Sequence, residues 1–300
     1  MPATTRITFH RNPLSLAILC FALSPESNLK ADYKPPLKSL PAAFLPVFQN
    51  REDRADFHKA VLDDLNKLAS SSKFFKLAVA AINKKEYVFK LYEEGNENIS
   101  LEVREIMTGE NFGALTFKDR KEVYINMKRI REAAENKKED EDHYLKGVFA
   151  NEAVHIILDP TLKGEEEGVF SDKPYKYDET KAELNEMKAS SNYTESEKTL
   201  HEVLNEEILS QVVDDIVVKL QKDPDYKVDK ESLFEGDYRY KFAQMKNIII
   251  TSVILRMYDL SALSDEDIDL LIARVDKYVA SGKVEKYLTE KLKEFGFITE

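Results

Sequence analysis

Cys20 is the only thiol in this 300-residue chain. That excludes an intrachain disulfide framework and any zinc site built from several cysteines. Cys20 also lies too early to look like a thiol nucleophile. Glycine is scarce as well, nine in all, and no stretch forms a Walker A loop, a dinucleotide fingerprint or a nucleophile elbow. No run reaches the roughly 18 consecutive apolar residues of a membrane span. Positive charge is in deficit: 44 Lys and Arg stand against 55 Asp and Glu, a net charge of -11. A general nucleic-acid binder needs a positive surface to displace counterions, so that class is disfavoured. What is present is 43% hydrophobic and 33% charged residues. That is enough apolar material for a real core in one or two domains, and too much for global disorder.

Three regions follow from changes of character along the chain. Residues 1–52 hold Arg6 and Arg11, then the apolar run LSLAILCFAL at 14–23, then a connector rich in proline (Pro25, Pro35, Pro36, Pro41, Pro46). A basic segment before about ten apolar residues has the form of a secretory signal. The other reading is a buried segment packed on the main domain. The first makes the protein secreted or effector-like, the second cytoplasmic. Residues 53–222 form the main domain. Helices are expected at 53–69 and from Ser71 or Ser72 through the stretch SSKFFKLAVAAINKK, by apolar spacing and N-capping. Four strand-like stretches come next: EYVFKLYEE, ISLEVREI, GALTFKD and EVYINM, with Gly95, Asn96, Gly109 and Gly113 at the turns. The charged block 129–143 reads as a solvated helix or loop. Residues 161–195 read as a long polar excursion and 196–222 as a helix. Residues 223–300 read as a helical region, with helices at about 239–259, 265–281 and 283–294 by the same periodicity and capping signals. Ser264 before Glu266 and Asp267 marks one helix start.

The chemistry concentrates at 144–158, YLKGVFANEAVHIIL. After Lys146 this segment is apolar except for Asn151, Glu152 and His155. On a helix, Asn151 and His155 lie one turn apart on one face, with Glu152 beside them. Buried polar groups need partners, so three together ask for a shared explanation. A second candidate cluster opens the helix at 196–222: His201, Glu202, Asn205, Glu206 and Glu207. Its apolar residues Leu204, Ile208, Leu209, Val212, Val213, Ile216, Val217 and Leu220 form one stripe. Glu202, Asn205 and Glu206 project along that stripe, His201 lies at its edge and Glu207 points away. A plain acidic first turn answering the helix dipole explains these glutamates equally well.

The segment NEAVH at 151–155 resembles the HExxH motif of the zincin metallopeptidases, with Asn151 in place of the first histidine. The helix-then-strand opening SSKFFKLAVAAINKKEYVFKLYEEG and the stretch FGALTFKDRKEVYINMKRI, both ahead of the motif, are similar to the compact bacterial effector metalloproteases of that group. The resemblance covers roughly residues 55–220. It implies an α+β fold, with a small zincin-like sheet, an active-site helix and a helical C-terminal part. It also implies zinc as cofactor, Glu152 as general base, and His155 and Glu206 as metal ligands. Residues 110–128 would supply an edge strand that aligns a protein or peptide substrate. Asn151 puts the metal in doubt, because an amide oxygen is a harder, weaker donor than imidazole. His201, Glu202 or a water would then be the auxiliary donors. Three readings stay open: a metallopeptidase with an altered motif, a metal-free relative that binds a peptide or protein on the same scaffold, and an ordinary buried polar group.

Overall fold

The computed structural model describes residues 57–96, 99–101, 103–104, 107, 113–138, 140–160, 176–190, 194–223, 225–228, 249–250, 253–254 and 257–298. The run at 14–23 and the proline-rich connector lie outside the described residues, as does the stretch at 161–175. The fold is α+β: mostly helical, with one small mixed sheet.

The first two helices are α1, Phe57–Ala69, and α2, Lys73–Lys85. Ser72 caps α2 by accepting from the Phe75 amide, as the sequence predicts. The strands are β1, Val88–Leu91, β2, Ala114–Phe117, and β3, Glu122–Ile125. Their order is β1-β3-β2, with β1 parallel and β2 antiparallel to the central β3. Strand alternation sorts side chains to two faces. Ala114, Val123 and Ile125 join the main core, while Leu115, Phe117 and Tyr124 pack in a small separate cluster on the other face.

That small cluster corrects one expectation. In the stretch ISLEVREI no described residue is in a strand, and Leu101, Val103 and Arg104 lie in a turn of helix. Ser100 Oγ accepts from the Val103 amide and the Ser100 carbonyl from the Arg104 amide. Ile99, Val103 and Met107 recur every four residues and bury together against Tyr92, Phe117 and Tyr124. Helical spacing prevailed over the alternation of Ile99, Leu101 and Val103, which reads as a strand.

Next come α3, Met127–Lys137, and α4, Glu141–Leu158. Asn126 caps the first and Asp140 the second, so the charged block is two helices meeting at a short break. The polar excursion contains a further helix, α5, Tyr177–Ala189. It has few apolar positions, and it buries only Thr180, Leu184 and Met187. The long helix α6, Glu195–Lys222, starts in a capping box between Thr194 and Glu197. Of the helix expected at about 239–259, residues 249–250, 253–254 and 257 are helical and 239–248 lie outside the described residues; two further C-terminal helices are α7, Asp265–Ala280, and α8, Lys283–Phe295. Ser264 and Asp267 form the capping box of α7. These last helices share the main core: Phe295 and Phe297 pack at a tilt on Phe74 of α2, at 5.1 and 5.3 Å between ring centroids.

The centre of the molecule is α4, buried along most of its length and packed on α6, α2 and β2. Gly147 permits the close crossing of α4 and α6. A Cβ added there would lie 2.1 Å from Asp214 Oδ1 and 2.6 Å from Val218 Cγ2. Such contacts require the Asp214 and Val218 side chains to shift, and overpacking of this kind costs about 1–3 kcal/mol. Alanine is the better helix former by about 1 kcal/mol, so the two effects oppose. We expect Gly147→Ala to lower the unfolding free energy by about 1–2 kcal/mol and Gly147→Val by more, read from urea melts. An unchanged or raised midpoint for the alanine variant would show that the crossing is looser than this.

Candidate functional site

The sequence places Asn151, Glu152 and His155 near the end of α4, and the fold presents Glu152 to β2 and His155 to α6. Strand β2 packs on α4, and Ala114 and Thr116 share the face turned toward it. The Thr116 hydroxyl donates to Glu152 Oε2 at 2.6 Å. Lys118 continues the same alternation just past the strand and reaches α6, where its Nζ donates to Glu206 Oε1 at 2.5 Å. His155 meets that same oxygen, with Nδ1 2.6 Å from Glu206 Oε1. A carboxylate only accepts, so Nδ1 carries the proton in this contact. Glu152, His155 and Glu206 are all buried, and the Lys118 side chain is 3% exposed. Asn151 is half-buried one turn before His155.

Of the two candidate third ligands, Glu206 is the one brought to His155; Glu207 is half-buried on α6 and its backbone carbonyl accepts from the Ser210 hydroxyl. The auxiliary candidates go elsewhere. Glu202 is exposed. His201 turns to α7, where its ring stacks on Tyr278 at 3.7 Å and 9°. Tyr278 also accepts at its hydroxyl from Asn205 Nδ2 at 2.8 Å. Burial lowers the His201 pKa to about 4, with Lys283 adding to the effect and Glu197 opposing it. Among the described residues no group of three or more His, Cys, Asp or Glu side chains is arranged to hold a metal ion.

Whether the residues present fit zinc turns on their donor chemistry. A zinc site needs lone pairs that converge on one point. Here the imidazole and the carboxylate face each other through a proton, an ammonium occupies the same carboxylate oxygen, and the first motif position offers an amide. As arranged, this set does not fit zinc.

Sequence reasoning missed Thr116 and Lys118, the two residues that partner the glutamates. The signal was there: in GALTFKD the alternation Ala114, Thr116, Lys118 puts a lysine on the inward face of a strand. The helix end beyond the site is also held by groups that went unremarked. Lys85 Nζ donates to the carbonyls of Ile156, Ile157 and Asp159 at 2.6, 3.1 and 2.5 Å. Asp159 Oδ2 accepts from Tyr87 at 2.7 Å and from Lys121 at 2.5 Å. A cleft of about 420 Å³ opens at the C-terminal ends of β1 and β3, lined by residues such as Tyr92, Asn126 and Lys128, and it includes none of the NEAVH cluster.

No protein-family model, curated protein or solved structure matches the chain.

The stacked histidine gives a pH prediction. Folding favours neutral His201, so the unfolded chain binds more protons between pH 4 and 6.5. Stability is therefore full above pH 6.5 and declines as pH falls toward 4. We expect His201→Phe, which keeps a ring on Tyr278, to remove about 1–2 kcal/mol of that decline, an amount discounted for residual solvent screening. Urea melts at pH 7 and pH 4.5 measure it. Equal pH dependence in both proteins would assign the acid sensitivity to other groups.

Proposed function

We propose that this chain is a zincin-like domain whose metallopeptidase site is degenerate, and that it binds extended protein segments without hydrolysing them. One observation carries the reading. The NEAVH helix lies against an antiparallel strand at the sheet edge, and a glutamate from a later helix reaches His155. That is the order of parts the resemblance implies, while the donor chemistry is that of an ion cluster and not of a metal site. Glu152 is partnered by the Thr116 hydroxyl. A general base for hydrolysis would instead address a polarised water.

Strand β2 is the docking edge in this reading. Gly113 accepts from the Asn126 amide at 2.7 Å. By antiparallel alternation, Leu115 and Phe117 then bond to β3, and the backbone groups of Ala114 and Thr116 point off the sheet. Among the described residues no strand pairs with that edge. An extended segment would add to it by main-chain hydrogen bonds, with side chains alternating toward and away from α4. No helix among the described residues is long and apolar enough to cross a membrane.

The test uses the full chain with a library of unstructured eight-residue peptides. Binding of some members is expected, lost when alternate peptide nitrogens are methylated, since that removes the donors of strand addition. Incubation with zinc should yield no peptide cleavage above a Glu152→Gln control. Asn151→His should raise zinc affinity on the order of 10-fold, the scale at which even supporting metal partners matter. Cleavage by the unaltered chain that Glu152→Gln abolishes would establish an active peptidase instead. Failure of every peptide to bind would remove the docking edge.

A further inference from the structure

The next inference deepens the zincin-like reading and rests on it. We infer that Lys118 is the resident cation of this site: its ammonium balances Glu206 where a divalent metal would otherwise stand, and it keeps metal out.

Geometry comes first. Lys118 Nζ and His155 Nδ1 converge on a single atom, Glu206 Oε1, at 2.5 and 2.6 Å. A carboxylate oxygen has two lone pairs, and each is met by one of these donors. Zinc binds a carboxylate oxygen at about 2.0–2.2 Å. A metal on Oε1 would have to displace one of the two donors and then sit beside the other. An ammonium has no lone pair, so Lys118 cannot turn into a ligand.

Charge points the same way. The Lys118 and Glu206 side chains are 3% and 8% exposed. At such burial Coulomb interactions are far stronger than in water, so a second cation beside the ammonium is strongly disfavoured. The same burial makes Glu206 dependent on its cation, because a buried charge that loses its partner is costly. The strand explains how the lysine arrives. Thr116 and Lys118 are two residues apart and reach the same side, one taking Glu152 and the other Glu206. Both acidic groups of the motif constellation are thus met from one edge of the sheet.

It follows that Asn151→His supplies the missing imidazole but leaves the obstacle in place. Removing the lysine charge opens the site. The test compares the full-length wild type, Asn151→His, Lys118→Met and the double variant Asn151→His/Lys118→Met, by calorimetric zinc titration and by Tm with and without zinc. The double variant should bind zinc at least ten-fold more tightly than Asn151→His, and its Tm should rise in zinc but not in magnesium. Without metal, Lys118→Met should lower Tm, and Lys118→Met/Glu206→Gln should recover much of it by removing the charge pair together. If the double zinc variant is unfolded alone, recovery of structure on adding zinc is the expected result. No recovery, with Lys118→Met/Glu206→Gln folded, overturns the inference. Equal zinc affinity for Asn151→His and the double variant also overturns it, while leaving the zincin-like reading intact. Absence of zinc binding by both would remove that reading and this inference with it.

Discussion

Everything at the candidate site depends on how the end of α4 is held. Lys85 is buried, and burial lowers its pKa, because desolvation disfavours an ammonium; Asp159 works in the opposite direction. Its Nζ meets three carbonyl oxygens in the last turn and at the cap. Those carbonyls are the orphan acceptors that every helix leaves, at the negative end of its dipole. Asp159 gathers Tyr87 and Lys121 on one oxygen. The end of α2, the start of β1, the turn into β3 and the end of α4 are therefore joined by one buried polar group. His155 is a single turn before this anchor and Glu152 three residues earlier. Rotation of α4 about its axis would separate Glu152 from Thr116 and His155 from Glu206 together.

Toward its other end, α4 is fixed by packing on the same helix, α6. Gly147 has no side chain, and a Cβ added there would overlap Asp214 and Val218 of α6. Lys146 beside it pairs with Asp142 at 2.5 Å and donates to Gln221 of α6 at 3.0 Å. The helix is thus pinned by polar contacts at both ends and by close approach between them. Glu206 reaches His155 because α6 runs along α4, which also explains how a separation of 51 positions costs so little. Loop closure grows slowly with length, and once the helices pack, the two residues meet without further ordering.

Capping and periodicity were the legible part of this fold. Ser72 and Ser264 start helices where local side-chain chemistry requires it, and α4, α6, α7 and α8 follow their apolar spacing, while the Thr194 cap of α6 went unread. The Glu206 choice over Glu207 was readable for the same reason, since a stripe on a long helix has one direction. Two elements were not legible. The residues around Val103 alternate like a strand and also repeat like a helix, and only the neighbours Phe117 and Tyr124 decide between them. Helix α5 buries three residues and is otherwise polar, so its local pattern resembles a loop; Thr180 Oγ1 accepts from the Asp259 amide at 3.0 Å and ties it to the C-terminal part. Lys118 was hidden for a different cause. A lysine beside a strand is normally read as solvated, and what draws this one inward lies 88 residues away in sequence.

The asparagine and the lysine make sense together. A metal centre of the zincin kind supplies two positive charges to a pocket whose acidic groups are a base and a ligand. With an amide at position 151, the lone-pair set is incomplete and a metal would be weakly held. Glu206 would then be a buried carboxylate short of a counter-charge, which is among the more costly states in a protein interior. One ammonium answers one carboxylate, and the remaining acid, Glu152, is answered by a hydroxyl instead of a charge. In the zincin-like reading proposed above, the amide at position 151 and the ammonium of Lys118 are two halves of a single electrostatic arrangement. Removing the ammonium alone leaves Glu206 buried without that partner, and in this reading an added imidazole together with a metal restores the balance.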